Sequence, residues 1–411
     1  MVEAPRALVT PAAGRAGEAR SVTRPQKLSQ IKSVKKARTK TGITELDRVL
    51  GGGIVPGSVV LFAGEPGIGK STLMLQLTQG IKGSVLYVSG EESLAQLKIR
   101  VERLDAKSDN LLFLTATNAD KICTQIKELN PVLAIIDSIQ TTWVSGLTGT
   151  AGSVGQVRET AGRLLRVGKE KGIPIFLVGH VTKAGAIAGP KILEHMVDTV
   201  IYFEGERFSA ARLLRVTKNR FGATDEVGVF EMTDRGLEEV ANPSRLFLKD
   251  RLKKVPGSVV IATIEGTRPV LVEIQALVVP TQLAIPRRVS QGIDYRRLQL
   301  VAAVLTKRLG LPLGGFDIFV NITGGLRIEE PAADLGVALA IVSSFKNIPL
   351  DPQTVCFGEL GLLGEIRAVN KTAKRQKEAR RLGFTTIISP ENYSSINQVA
   401  KKLSLPVFHK G

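Results

Sequence analysis

The sequence predicts an α/β protein in which a mostly parallel sheet is followed by a second unit of α+β type. From residue 41 onward, apolar strand-like runs alternate with helical segments, a pattern typical of βα units. The motif GEPGIGKST, residues 64–72, directly follows the first of these runs. The length of 411 residues exceeds what one hydrophobic core usually serves, so more than one domain is expected.

Seven apolar runs predict the strands of the first unit. In chain order they are VVLFAG (59–64), SVLYVSG (84–90), NLLFLTA (110–116), VLAIIDS (132–138), IPIFLVG (173–179), TVIYFEG (199–205) and ARLLRVTK (211–218). Each of the first five is followed by a segment long enough for the crossover helix that parallel strands require.

The second unit begins after a break rich in charge, proline and glycine, NPSRLFLKDRLKKVPGS. We therefore predict a tail at 1–40, a first domain at 41–240, a linker at 241–256 and a second domain at 257–411. The second domain starts with two alternating β runs, GSVVIATIE and RPVLVEIQALVVP. It continues with a helix at YRRLQLVAAVLTKRLG, a strand at FDIFVNITGG, a helix at AADLGVALAIVSSF, a basic helix at KTAKRQKEARRLGF and a strand at TTIISP.

The charge of the chain indicates a polyanionic partner. The formal net charge is +18 and the pI is about 10.0, and fixed cations bind phosphate backbones by releasing counterions. Nucleic acid is the partner that this composition favours, whereas the alternative is a surface that is merely well solvated. Residues 1–40 carry ten Lys or Arg against two Glu and lack periodicity, so we predict a disordered tail suited to nonspecific phosphate contact.

The remaining composition indicates a cytoplasmic protein. No apolar run is long enough for a membrane span, and Cys123 and Cys356 are too few for a disulfide framework. The Arg-rich, acid-poor stretch 1–40 also resembles an organelle import sequence, which is the minor alternative.

The motif at 64–72 predicts a site for ATP and Mg²⁺. It fits G-x-x-x-x-G-K-[ST], follows a predicted strand and opens a predicted helix, which a chance glycine-rich turn would not do. Backbone N–H groups would surround the phosphates, Lys70 would reach the terminal phosphates and Ser71 would ligate Mg²⁺. The predicted nucleotide-binding residues are Gly64, Glu65, Pro66, Gly67, Ile68, Gly69, Lys70, Ser71, Thr72 and Asp137.

Three further polar residues stand at strand ends. Asp137 ends VLAIIDS, where a carboxylate can hold Mg²⁺ rather than cap a turn. Glu91 follows YVSG and is a candidate for orienting the attacking water, although adjacent glutamates such as Glu91 and Glu92 usually mark the solvated first turn of a helix. His180, at the tip of FLVGH, is either a sensor of the terminal phosphate or a structural histidine.

The motifs TGITELDRVLGGGIVPGS, GEPGIGKST, YVSGEES, IIDSIQT, FLVGHVTKAGAIAGPK and TKNRFG together resemble the RecA-type ATPase core. Within that class the chain is most similar to the bacterial RadA (Sms) family of DNA repair and recombination proteins, over roughly residues 41–408. The most specific match is KNRFG, residues 218–222.

This resemblance implies an ATP-driven hexameric helicase on single-stranded and branched DNA, driving branch migration together with recombinase filaments. It also implies that Lys218 and Arg220 act in trans, in the active site of the neighbouring subunit, where they would neutralise charge on the γ-phosphoryl group. Phe221 and Gly222 would shape the turn that presents them. A different reading, a nucleotide-switched scaffold without translocation, stays open.

The carboxyl-terminal half resembles the protease domain of Lon, in which a serine and a lysine form the catalytic dyad. In this chain Ala332 stands at the serine position and Ala373 at the lysine position, and the nearby Ser343, Ser344, Lys371 and Lys374 do not restore the spacing. We therefore expect no peptidase activity.

Members of the RadA family usually begin with a four-cysteine zinc module. Because no cysteine precedes Cys123, we expect no zinc in this chain, which puts in doubt the functions that depend on that module, including coupling to the recombinase.

Overall fold

The structure of the protein is a computed structural model that describes residues 38–106, 109–181, 190–205 and 210–404. Most of the predicted tail, residues 1–37, lies outside this set, as do residues 182–189 of the glycine- and alanine-rich stretch. Arg38 and Thr39, which the sequence assigns to the tail, are part of the fold: Thr39 and Ile54 exchange backbone hydrogen bonds of 2.9 and 2.8 Å.

Nine strands from the first half of the chain form one mixed sheet. They are β1 (Val59–Gly64), β2 (Val85–Ser89), β3 (Leu111–Thr115), β4 (Leu133–Asp137), β5 (Ile175–His180), β6 (Thr199–Glu204), β7 (Ala211–Asn219), β8 (Val227–Thr233) and β9 (Gly236–Glu239). The strand order is β3-β2-β4-β5-β1-β6-β7-β8-β9, and the pairs from β3 to β6 are parallel while the later pairs are antiparallel.

Helices cover this sheet because its parallel strands are apolar on both faces and must be shielded from water. In chain order the helices are α1 (Thr44–Val49), α2 (Lys70–Thr78), α3 (Leu94–Arg103), α4 (Ala119–Leu129) and α5 (Val154–Lys171). Between β5 and β6 the described residues contain only a short 3-10 helix, Pro190–Ile192. Two hydrophobic clusters fill the two sides of the sheet.

The predicted linker contains the short helix α6 (Pro243–Leu248). The side chain of Asn242 caps the amino end of this helix. The second half continues with β10 (Ser258–Glu265), β11 (Arg268–Pro280), β12 (Arg288–Gln291), α7 (Tyr295–Leu309), β13 (Phe316–Ile322), α8 (Asp334–Lys346), β14 (Thr354–Cys356), β15 (Glu359–Leu360), β16 (Ile366–Arg367), α9 (Thr372–Arg381), β17 (Thr386–Ile388) and α10 (Ile396–Lys402). Six of these strands form a second sheet in the order β12-β13-β11-β10-β14-β17, and β15 pairs with β16.

The fold class predicted from the sequence is therefore confirmed: a RecA-like α/β unit with a mostly parallel sheet precedes an α+β unit of the Lon protease-like kind. The division at 241–256 stays a prediction, because the described residues from Arg38 onward group as one compact unit.

The two sheets meet along a seam of apolar and charged contacts. One hydrophobic cluster combines Leu213 and Val229 of the first sheet with Val259 and Ile261 of the second. Beside it, Arg215 donates to Glu204 at 3.1 Å and to Glu265 at 2.9 Å. A second pair joins α1 to β11: Arg268 donates to Oε2 of Glu45 at 2.7 Å, and the same oxygen accepts the backbone N–H of Val229 at 3.0 Å.

Candidate nucleotide-binding site and basic turn

The carboxyl ends of the parallel strands bring the predicted site residues to one edge of the sheet. The strand register sets Gly64 beside His180 and Ser89 beside Asp137. The loop of the phosphate motif leaves this edge between β1 and α2. It needs glycine where the backbone turns, since Gly67 and Gly69 have φ values of 77° and 115°.

Lys70 opens α2 and is buried, with 3% of its surface exposed. Its Nζ donates to the carbonyls of Gly64 and Glu65 at 2.9 and 2.8 Å. Burial lowers the pKa of Lys70 to about 8. No side chain caps the amino end of α2, and a cation at this positive end of a helix opposes the helix dipole. Uncapped N–H groups beside a buried cation fit an anion, so these residues suit the phosphates of a nucleotide.

Asp137 ends β4, and its Oδ2 accepts a hydrogen bond of 2.5 Å from the hydroxyl of Tyr87. Tyr87 is fully buried in β2, and this burial raises its pKa well above the usual value, which keeps it a donor. Ser71 and Thr72 follow Lys70 in the first turn of α2. A carboxylate and a hydroxyl are oxygen donors of the type that Mg²⁺ prefers, so Asp137 and Ser71 fit that ion.

Sequence reasoning missed Tyr87. The available signal was a single hydroxyl-bearing aromatic residue inside the apolar run SVLYVSG, next to a strand that ends in a carboxylate.

Glu91 and His180 lie together at the same edge. Nε2 of His180 is 3.5 Å from Oε1 of Glu91, and the hydroxyl of Ser138 donates to that oxygen at 2.7 Å. The contact with His180, together with the Ser138 hydrogen bond, lowers the pKa of Glu91 to about 2. Glu91 is therefore an anion at every physiological pH, which suits orientation of a water molecule more than proton transfer.

Glu92 has a different partner, since its carboxylate pairs with Arg100 of α3 at 2.5 Å. Neither glutamate lies in the first turn of a helix, since α3 begins at Leu94 behind the capping residue Ser93. The structure thus gives the adjacent Glu91 and Glu92 different partners, a distinction that the sequence alone does not make.

The turn at 218–222 lies at the opposite edge of the sheet. Asn219 pairs with Thr199 at the start of β6, and Thr199 pairs with Val60 near the start of β1. The phosphate loop begins at Gly64, four residues further along β1, or roughly 13 Å at the rise of a strand. Lys218 and Arg220 are therefore held away from the phosphate loop of their own chain.

Both cations of the turn have local partners among the described residues. Nζ of Lys218 donates to the carbonyl of Glu194 at 2.7 Å, and Arg220, half exposed, pairs with Asp198 at 3.2 Å. Asp198 is buried and accepts the backbone N–H of Val59 at 3.0 Å. The turn is thereby tied to the first residue of the strand that carries the phosphate loop.

Arg38 holds the same turn in place through hydrogen bonds. The prediction of a disordered tail at 1–40 did not anticipate this role. Its guanidinium donates to the carbonyl of Phe221 at 2.5 Å and to the carbonyl of Gly51. Gly51 and Gly222 lie so close that a Cβ atom on Gly51 would come within 3.1 Å of Cα of Gly222. The absence of a side chain at Gly51 therefore allows the turn to pack closely against this segment.

In the second unit, the positions of the Lon-type dyad carry no reactive group. Ala332 is buried and its carbonyl accepts the N–H of Gly358 at 2.9 Å, while Ala373 is exposed on α9. Near them, Glu330 and the fully buried Arg375 form a two-pronged ion pair of 2.8 and 2.6 Å.

Two family models match the chain. A model described as an AAA domain matches residues 24–186, and one described as subunit ChlI of Mg-chelatase matches residues 294–393. One match lies in the first half of the chain and the other in the second half, and neither model covers residues 187–293.

Along the whole chain, the sequence is similar to DNA repair protein RadA from several bacteria. Identity is 52% with the protein from Halalkalibacterium halodurans, over 94% of this chain and 84% of that protein. It is 50% with that from Bacillus subtilis, over 90% of this chain and 81% of that protein. It is 51% with that from Streptococcus pneumoniae, over 90% and 89%. Among solved structures, that of the RadB recombinase is 19% identical with a TM-score of 0.40, covering 49% of this chain and 99% of that chain.

Proposed function

Because the chain belongs to the RadA family of DNA repair proteins, we propose that it is a DNA-dependent ATPase that works as a hexameric helicase and drives branch migration of recombination intermediates. The observation that carries this proposal is the buried Lys70 at the uncapped start of α2, on the same sheet edge as Asp137 and Glu91. Such a site holds a phosphate chain and has a carboxylate at hand for hydrolysis.

The residues of the phosphate loop, 64–72, hold the nucleotide, with Lys70 directed at the terminal phosphates. Ser71 and Asp137 hold Mg²⁺, which supplies charge neutralisation on the phosphoryl oxygens when it is bound. Tyr87 fixes the rotamer of Asp137 through their hydrogen bond. Loss of the Lys70 interactions with Gly64 and Glu65 frees its ammonium group for the phosphates.

Glu91 orients the attacking water as a carboxylate, and His180 and Ser138 hold that carboxylate in place. His180 also lies beside Gly64, the first residue of the phosphate loop. It is therefore suited to report the state of the terminal phosphate to Glu91.

Lys218 and Arg220 serve the active site of the neighbouring subunit. Their distance from the phosphate loop of the same chain and the exposure of Arg220 support this assignment. Because a cation supplied by a neighbour stabilises the developing charge only in the assembled ring, hydrolysis is tied to assembly.

The partners that we propose are single-stranded and branched DNA, the recombinase filament and further copies of this chain. The net charge of +18 supports a nucleic-acid partner, and the basic runs RRVSQGIDYRR, LTKRLG and KTAKRQKEARR are candidates for contact.

Within the described part of the chain, every helix is too short or too polar to cross a bilayer. We assign the protein to the cytoplasm and assign no peptidase activity to its second half.

The test uses purified full chain in three assays: ATP hydrolysis with and without single-stranded DNA, DNA binding at low salt, and migration of a three-strand junction. We expect DNA to stimulate hydrolysis and the junction to move only with ATP. Equal hydrolysis with and without DNA, together with no DNA binding, would refute the proposal. Stimulated hydrolysis without junction movement would identify a nucleotide-switched scaffold instead.

A further inference from the structure

A basic cleft of about 580 Å³ opens on the second unit, far along the chain from the phosphate loop. It lies between α6 and the residues after it, the loop before β14, and the end of α9. None of the described residues that line it is acidic, and five are cationic: Arg245, Lys249, Arg251, Lys253 and Arg381.

Only two of these cations have a carboxylate partner in the described structure. Lys249 is 3.6 Å from Glu231, and Arg381 pairs with Glu378 at 2.7 Å. Arg251 instead donates to the carbonyl of Pro352 at 2.9 Å, which holds its guanidinium at the wall of the cleft. Arg245 and Lys253 form no ion pair with any described residue, so the cleft has an excess of positive charge.

Like charges that line one concave surface repel each other, and a cleft with low-dielectric walls concentrates their field. An anion that enters the cleft relieves this repulsion. Three cations without carboxylate partners match an anion of more than one charge, and guanidinium groups match phosphate oxygens in pairs.

The cleft also has apolar lining, from the half-buried Leu248 and Leu382 and from the edge of Phe384, which is otherwise buried in a core cluster. An apolar surface beside cations suits a nucleobase, which packs its face on apolar side chains while the cations hold the phosphates. The volume falls within the range of about 300 to 1,000 Å³ that is usual for small-molecule pockets. This size favours a free nucleotide over a passing strand.

We propose that this cleft is a second, non-catalytic nucleotide site that binds a nucleoside polyphosphate, its phosphates between Arg245, Arg251 and Lys253 and its base against Leu248 and Leu382. The site is independent of the phosphate loop and of the proposed hydrolysis.

The experiment measures binding of a non-hydrolysable ATP analogue to the full chain by equilibrium dialysis. We expect two molecules per chain for the unmodified protein and one for Lys70→Ala. In the Lys70→Ala background, the double change Arg245→Gln with Lys253→Gln should weaken the remaining binding by at least about tenfold, as loss of two charge-assisted contacts implies.

The matched control, also in the Lys70→Ala background, is Arg235→Gln with Lys254→Gln, which removes the same charges at exposed positions outside the cleft and outside the three basic runs. It should leave binding unchanged, and thermal melting of both double variants checks that they fold. One molecule per chain in the unmodified protein with none in Lys70→Ala would overturn the proposal. Weaker binding of a single-stranded oligonucleotide with unchanged binding of the analogue would overturn it in favour of a nucleic-acid strand.

Discussion

The hydroxyl of Tyr87 donates a hydrogen bond of 2.5 Å to Oδ2 of Asp137, across the neighbouring strands β2 and β4. We predict that Tyr87→Phe raises the Mg²⁺ concentration needed for half-maximal ATP hydrolysis by about 10- to 100-fold, the usual worth of a hydrogen bond to a charged group. Binding of nucleotide without Mg²⁺ should be unchanged. Titration of ATP hydrolysis with Mg²⁺ measures the shift, and nucleotide binding in a Mg²⁺-free buffer checks that the site is otherwise intact.

The control for this prediction is Tyr202→Phe, because the hydroxyl of Tyr202 donates to the carboxylate of Glu194 at 2.7 Å and not to Asp137. It should leave the Mg²⁺ dependence at the wild-type value. An equal shift in both variants would show that the effect is one of general stability.

Glu91→Gln is predicted to retain ATP binding and to lose turnover by roughly 100-fold or more, since a neutral amide orients water poorly. Glu92→Gln is the matched control, because the carboxylate of Glu92 pairs with Arg100 and not with His180 or Ser138. The pKa of Glu91 is lowered to about 2, so its carboxylate persists as pH falls from 8 to 5. Between pH 8 and pH 5, the unmodified protein and Ser138→Ala should therefore lose the same fraction of their activity. Retained turnover in Glu91→Gln would refute the assignment.

Arg220→Ala and Lys70→Ala are each predicted to be inactive alone and to recover activity when mixed. Random assembly at equal amounts gives an intact phosphate loop facing an intact Arg220 at about a quarter of interfaces, and hydrolysis should recover to that order if the cation acts in trans. Mixing Lys70→Ala with Ser71→Ala should restore nothing. An absence of recovery at every ratio of the first pair would argue for action within one chain.

Glu330→Gln is predicted to lower the free energy of unfolding by about 3 to 5 kcal/mol, because it removes the only carboxylate among the described residues that pairs with the buried Arg375. Glu329→Gln should change it by less than about 0.5 kcal/mol, since Glu329 and its partner Arg327 are exposed. Denaturant unfolding of both variants measures the contrast. The pKa of Glu330 is lowered below its ordinary value of 4.5, so the stabilisation is complete above that pH and declines as pH falls through the lowered value.

Much of the first sheet is predictable because strands buried on both faces are continuous apolar runs. The seven predicted runs coincide with β1 to β7 within two residues. The strands β9 and β14 are not predictable in this way, since they have four and three residues and form only because a neighbouring strand supplies hydrogen bonds.

The phosphate loop is equally visible in sequence, because its glycines, lysine and hydroxyl are contiguous. Contacts between distant segments are not visible in the sequence. Tyr87 and Asp137 are 50 residues apart and Arg38 and Phe221 are 183 apart, so only the order and register of strands bring them together. The edge of the sheet on which the turn 218–222 lies follows from the antiparallel pairing of β6 with β7, which no local pattern specifies.

The seam between the two sheets limits how the protein can be divided in the laboratory. A fragment that ends near residue 240 would expose Leu213 and Val229 to water and would leave Glu45 without Arg268. Such a fragment is expected to aggregate when it is expressed alone. Replacing those two apolar side chains with polar ones would be the first step toward a soluble, separately expressed ATPase unit.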